Sequence, residues 1–355
     1  MAARPRGSNR NGAMSVVGKR KQGGGQVNMH DIARHAGVSP MTVSRALREP
    51  GSVSEKMRRK VDAAVREFGY LPNRIAGSLS SKRSNVVGLV VPSIRNSLYA
   101  SMVQAISEVL RANGLHLMIA DSGHRLADEE ALVEALLAQR VCGLVLHNTR
   151  HSKRVRELVR STGVPVIETG NLPADPLDMA VSYSNFEATR AMTLHLARLG
   201  YRRIGFVTLP LRDNDRSEQR RRGYFAALKE QKLPVDSSLV LEAPGGFSEG
   251  GDALGRLIQT HPDIDAVFFA GDVLAVGALF ECQRRGWAVP GRVAIASFDD
   301  LDLLRHTVPA VTTLRLPRQE IGRRSAELLV NRLRGATPER LKIDVGFEIV
   351  QRDST

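Results

Sequence analysis

Between Asn28 and Gly69 the chain is divided into three short helices by caps and stops that leave little freedom elsewhere. Asn28 caps the first helix, with Asp31 at N3 beside the positive helix end, and Ile32, Ala33 and Ala36 turn inward. Gly37, which tolerates φ > 0, ends it. Ser39 caps the second helix, with Pro40 at N1, where a missing N–H costs nothing. On this helix Val43 and Leu47 are four apart and point into a miniature core. Pro40, Met41, Thr42, Ser44, Arg45 and Arg48 are left mainly on the outer side. Ser54 caps the third helix, whose stripe of Met57, Val61, Val65 and Phe68 covers that core before Gly69 stops it. A packed hairpin would show aliphatic residues on its second helix, whereas this one displays hydroxyls and guanidinium. The pattern is that of a helix-turn-helix pressed against a duplex.

Charge agrees with that reading. The chain of 355 residues carries a net charge of +14, and residues 1–85 hold 17 Lys and Arg against 5 Asp and Glu, an excess of 12. Basicity confined to one end is the footprint of phosphate contact. Residues 1–26, rich in Gly, Arg, Lys and Asn, are expected to be a disordered basic tail, and they lack the apolar core of a signal peptide. No apolar run reaches the ~18 residues of a membrane span. Cys142 and Cys282 stand far apart in apolar segments and are expected to be buried thiols. The cytoplasm is the expected compartment.

Three blocks then match a known pattern in order and spacing: residues 31–39 (DIARHAGVS), residues 42–45 (TVSR) and residues 70–76 (YLPNRIA). With them the chain resembles the lactose-repressor (LacI/GalR) family of bacterial transcription regulators, and the resemblance runs through all but the first 26 residues or so. It implies a headpiece at 27–72, a hinge helix and linker at 73–85, and an effector-binding and dimerisation core at 86–355. The segment from Asn73 to Ser81 is too short for a stable isolated helix, and Gly77 and its serines weaken it further. It reads as a helix that forms only when a partner and DNA hold it. The resemblance implies that Leu79 wedges between base pairs and that Ala76 lies near the minor-groove floor. Arg45 is the expected guanine reader, with Pro40 and Met41 on the base-facing side. Thr42, Ser44 and Asn73 are expected on phosphates.

From Val86 onward apolar strands alternate with amphipathic helices, the signature of parallel sheets covered on both faces. The strands are too numerous for one comfortable sheet. A division near Tyr183 gives one lobe at about 86–184 plus 317–341 and a second at about 185–316 plus 342–355, with Lys342–Val350 as one final strand. The fold class is therefore α/β, an all-α headpiece before a two-lobed core. The resemblance implies a core of the type I periplasmic-binding-protein kind, with its ligand in the cleft.

Ligands of parallel sheets bind beyond the carboxyl ends of the strands, which selects Tyr99, Asn148, Glu168, Asp272 and Asp299. Arg220 joins them by resemblance, three residues before the Gly223-Tyr224 pair. Carboxylates accept from sugar hydroxyls and a fixed guanidinium holds a carboxylate in two bonds. Gly271 stands where many family members have Asn, which removes a hydroxyl partner. Segments 177–188 and 280–290 resemble the gluconate-operon repressors, so a sugar acid such as gluconate is the expected effector. His147 and His151 lack a third ligand with metal spacing and read as surface histidines. No phosphate loop, nucleophile elbow, metal site or cofactor motif is found. The chain is thus expected to be no enzyme but a homodimeric DNA-binding regulator, a repressor of a palindromic operator. The alternative is a sugar-binding protein or sugar-phosphate enzyme sharing the core fold without an operator.

Overall fold

A computed structural model describes residues 27–70, 84–94 and 97–355. The chain forms two compact units, divided between Ser80 and Ser81.

In the first unit, α1 spans Met29–Ala36, α2 Pro40–Arg48 and α3 Glu55–Phe68. Asn28 and Asp31 complete a capping box, and Gly37 closes α1 at φ 64°. The core is built from Ile32, Ala33, Ala36, Val43, Ala46, Val61, Ala64 and Tyr70. Leu47 packs half-buried against this core, beside the fully buried Ala46. One expectation needs correction. On α3, Met57 and Phe68 are 45% and 40% exposed, because the helix turns Val61 and Ala64 inward. Phe68 instead packs edge-on against His35, ring centroids 4.8 Å apart.

In the second unit, β1 (Val86–Val91), β2 (His116–Asp121), β3 (Gly143–Leu146), β4 (Val166–Glu168), β5 (Met179–Ser182) and β11 (Lys342–Asp344) form one sheet. Its order is β11-β5-β4-β3-β1-β2, all parallel. The second sheet has the order β12-β10-β9-β8-β6-β7. It is built from β6 (Ile204–Thr208), β7 (Val240–Glu242), β8 (Ala266–Phe269), β9 (Ala294–Phe298), β10 (Thr312–Arg315) and β12 (Glu348–Val350). Only β12 runs antiparallel to its neighbour.

Although the strands read as continuous apolar runs, their side chains still alternate between two faces. Val87, Leu89 and Val91 meet α4 (Ala100–Ala112) and α11 (Arg318–Leu333), while Val90 and Leu144 meet α5 (Leu126–Ala138) and α6 (Lys153–Thr162). In the second lobe Phe206 and Phe268 face α7 (Asn185–Arg198) and α8 (Asp215–Glu230). Val207 and Phe269 face α9 (Phe247–Thr260) and α10 (Asp272–Arg285).

Met179–Ser182 forms a strand with no helix between it and β4, a departure from the strand–helix alternation. Residues 342–350 are two strands, not one: Gly346, at φ 70°, turns the chain after Asp344 has paired with β5. The lobe boundary expected at 341/342 therefore falls between Asp344 and Glu348. The backbone passes between the lobes after β5, between β10 and α11, and between β11 and β12.

Candidate functional site

Two regions gather the residues singled out above. The first is the outer side of α2. Met41 is 64% exposed, Arg45 and Arg48 are exposed, and Pro40, Thr42 and Ser44 are half-buried. The Ser39 hydroxyl accepts from the Thr42 N–H at 3.1 Å and lies 2.9 Å from the Thr42 hydroxyl, so cap and neighbour are fixed together. Ion pairs in this unit are made by Arg34, His35 and Arg59. Among the described residues none engages Arg45 or Arg48. Two guanidinium groups thus project from a rigid, capped helix without an internal carboxylate to hold them. Asn73, Ala76 and Leu79 lie outside the described residues.

The second region is the cleft between the lobes of the core. Its position follows from the packing of α8. A Cβ at Gly223 would lie 2.3 Å from the Phe186 carbonyl oxygen, so only glycine lets α8 approach α7 this closely. Tyr224 stacks on Phe206 at 5.0 Å, and its hydroxyl donates to the Ile204 carbonyl at 2.7 Å. These contacts fix the roll of the helix and turn Arg216 and Arg220, one turn apart, into the cleft. Arg220 donates to Asn185 Oδ1 and to the Ala270 carbonyl, both at 2.8 Å, and its guanidinium lies 3.5 Å over the Phe298 ring. Arg216 reaches the opposite lobe, donating to the His147 carbonyl at 2.5 Å and to Asn148 Oδ1 at 2.6 Å. From the first lobe Arg318, at the start of α11, pairs with Asp299 across the gap.

These groups, with Tyr99, His124, His147, Asn214 and Asp272, wall a chamber of about 60 Å³. It has room for roughly four to six waters at about 10–15 Å³ each. Asp299 sits at φ 75°, a left-handed conformation rarely adopted outside glycine. Its carbonyl accepts from the Thr313 hydroxyl at 2.5 Å, which helps to hold it there. Asp272 Oδ1 accepts from the Val273 N–H at 2.7 Å, while the buried Oδ2 has no hydrogen-bond partner among the described residues. Burial, and then the Asp299 charge, push the Asp272 carboxyl up to about 7. Burial and the neighbouring Arg216 hold His147 well below its ordinary value, so its imidazole is neutral. Burial works against the Arg318 charge, but Asp299, together with Tyr183 and Tyr99, more than offsets it and the guanidinium pKa is raised.

Tyr99, Asp272 and Asp299, selected by strand-end geometry, are therefore brought together with Arg220, selected by resemblance. Asn148 and Glu168 are not at the chamber wall. Asn148 donates to Glu129 at 2.5 Å, and Glu168 accepts from the Leu177 N–H at 2.5 Å while facing His151. His147 and His151, expected at the surface, are 4% and 7% exposed. Arg216 and Arg318 were missed. The i, i+4 relation of Arg216 to Arg220 was a usable signal, but Arg318 had none, because its place depends on the chain returning to the first lobe.

A duplex-facing helix and a polar cleft between two parallel-sheet lobes define a DNA-binding regulator with a ligand-responsive core. Comparison with known proteins agrees for both units. Residues 28–73 match the model for bacterial regulatory proteins of the lacI family, and residues 193–355 match the periplasmic binding protein-like domain. The HTH-type transcriptional regulator GntR of Escherichia coli (strain K12) is 35% identical over 321 residues, 90% of this chain and 96% of that protein. A LacI-family transcriptional regulator from Silicibacter pomeroyi has a similar solved structure, with a TM-score of 0.86 at 29% identity over 92% of this chain and 99% of that one. The transcriptional regulator CelR, solved as a complex with cellobiose, gives a TM-score of 0.68 at 29% identity over 93% and 100% of the two chains. The chain belongs to the LacI family, and it is a sequence-specific transcriptional regulator. Among the described residues no helix is long and apolar enough to cross a membrane.

Proposed function

We propose that this regulator is a cytoplasmic repressor that binds its operator as a two-fold dimer and responds to a small sugar acid of the gluconate kind. The observation that carries the effector class is the buried meeting of Arg216, Arg220 and Arg318 with Asp272 and Asp299 in one interlobe chamber. Guanidinium groups held by backbone and amide partners suit a carboxylate, and carboxylates suit the hydroxyls of a polyol. Arg220 has two of its N–H groups committed to the protein and faces the chamber with the rest. Asp272 and Asp299 would accept from hydroxyls, and Tyr99 would pack against the carbon chain. The effector binds without turnover.

A six-carbon acid has more non-hydrogen atoms than the chamber has places for water, so its entry is expected to widen the cleft or displace contacts across it. That requirement ties occupancy to lobe geometry, and lobe geometry to the spacing of the paired headpieces. On the DNA side, Arg45 reads a guanine with Pro40 and Met41 beside it. Thr42, Ser44, Arg48 and Asn73 set register on the backbone, while Ala76 and Leu79 enter the minor groove. An exposed edge strand carrying Met118 and Ile119, 43% and 45% exposed, and the exposed Phe247–Phe280 pair support a dimeric core.

The test is operator binding by electrophoretic shift, with and without gluconate, other aldonic acids and neutral sugars. A change in affinity with a sugar acid and none with neutral sugars is expected. Indifference to every sugar acid sinks the effector assignment, and failure to select an operator sinks the regulator assignment.

A further inference from the structure

The carboxylates that do not line the chamber form a buried chain that ends on one of its arginines. Glu168 accepts from the Leu177 N–H with one oxygen and faces His151 Nε2 at 3.2 Å with the other. His151 Nδ1 lies 2.5 Å from Glu129 Oε1, and Glu129 Oε2 accepts from Asn148 Nδ2 at 2.5 Å. Asn148 Oδ1 then accepts from Arg216 Nη1 at 2.6 Å. Glu129, His151, Glu168, Asn148 and Arg216 are all at least nine-tenths buried.

With both glutamates ionised, the donors and acceptors along this chain fall into one arrangement, and hydrogen bonds to the two carboxylates push His151 up to about 9 against its burial. A histidine with carboxylates against both ring nitrogens donates from both and is an imidazolium. The cluster of two glutamates and one imidazolium therefore keeps one net negative charge inside the first lobe. Asn148 stands between that charge and the Arg216 guanidinium. Turned over, its amide would point an oxygen at Glu129 and N–H groups at Arg216, losing both bonds. Glu129 thus dictates that the amide oxygen faces the cleft, where Arg216 of the other lobe meets it.

We propose that the Glu129–His151–Glu168 cluster is a positioning device for Arg216, which it holds through Asn148 so that the two lobes are latched together. The neighbouring interlobe pair Arg150–Glu218 is solvent-exposed and contributes little. Arg216 is different, because removing it strands a buried negative charge. Other buried ties between the lobes, Arg318 with Asp299 and Asp215 with Thr149 and Asn171, are not reached by the cluster. The proposal does not depend on which ligand enters the cleft.

The experiment is an interlobe distance measurement on the full chain, with spin labels at E157C on α6 and K229C on α8. Both positions are exposed, whereas the native cysteines are buried. The parent protein should give one narrow distance. Arg216→Met and Asn148→Leu should each shift it to longer values, and the double variant should go no further than Arg216→Met, which loses the His147 contact as well. Glu129→Gln, which touches nothing in the chamber, should produce the same shift. Glu134→Gln, an exposed carboxylate on the same helix, should produce none. Melting curves separate a latch from a structural support: a folded Glu129→Gln that melts earlier but keeps the closed distance overturns the proposal. So does a parent distribution already as long as that of Arg216→Met, or an additive double variant. Should Glu129→Gln fail to fold, Asn148→Leu decides, its unchanged distance counting against the latch.

Discussion

Arg45 projects from a helix whose start is fixed by Ser39 and Pro40 and whose inner face is held by Val43 and Ala46. A guanidinium on so rigid a base is suited to a bidentate contact, worth about 1–3 kcal/mol of discrimination between bases. Arg45→Ala should therefore flatten preference at one position of each operator half-site while leaving nonspecific binding largely intact. Binding to a library of operator variants would show it, and full retention of specificity would refute the assignment. Asp272 offers a second residue-level expectation. Its folded value of about 7 lies above the ~3.9 of an unfolded aspartate, so between those values the folded state holds a proton that the unfolded chain has released. Stability then falls as pH rises through that window and is level above it. Asp272→Asn removes the linkage. Its melting temperature should equal or exceed the parent's by a margin that grows from near pH 4 to near pH 8. A margin that does not change with pH would mean the carboxyl is ordinary.

At the scale of elements, α8 determines the cleft. Gly223→Ala would place a methyl 2.3 Å from the Phe186 carbonyl oxygen and 3.1 Å from the Arg190 nitrogen, both backbone atoms that cannot swing aside. The helix must shift, at about 1–3 kcal/mol for an overpacked contact, carrying Arg216 and Arg220 with it. The expected result is an earlier melt together with weakened sugar-acid binding; an earlier melt with unchanged binding would mean the helix roll does not matter. This element also shows what was legible beforehand. The caps of α1, α2 and α3 and the alternation of strands with helices are local properties, so residue order alone located them. Strand-end geometry then found Tyr99, Asp272 and Asp299, because parallel sheets present their carboxyl ends together. It failed at Asn148 and Glu168, which occupy equivalent strand ends but are taken up by Glu129 and His151. That competition is decided by side chains brought together only in the fold. Arg318 and the split of residues 342–350 were hidden for a related reason, since both depend on where the chain crosses between lobes.

At the scale of the whole molecule, the lobes are joined by three strand crossings and by buried charge, so the core should respond to pH as one body. The balance rests on His151. Burial works against its charge, but hydrogen bonds to Glu129 and Glu168 push it up to about 9, above the ~6.5 of an unfolded histidine. The stabilisation is therefore complete below about pH 6.5, where both states are protonated, and is lost as pH rises through 9. A shift of this size corresponds to a few kcal/mol, a large part of what holds a domain folded. Arg318, whose pKa is raised, stays charged throughout that range, so it cannot produce a transition there. Two buried carboxylates facing each other over a neutral ring would have no cation between them, and Asn148 would lose its fixed orientation. Melting temperature should thus fall between about pH 7 and 9.5 in the parent protein. His151→Gln should start lower and vary less over the same interval, since it has no proton to lose. Equal slopes for the two proteins would place the alkaline sensitivity elsewhere and remove the imidazolium from the account of how the lobes are held.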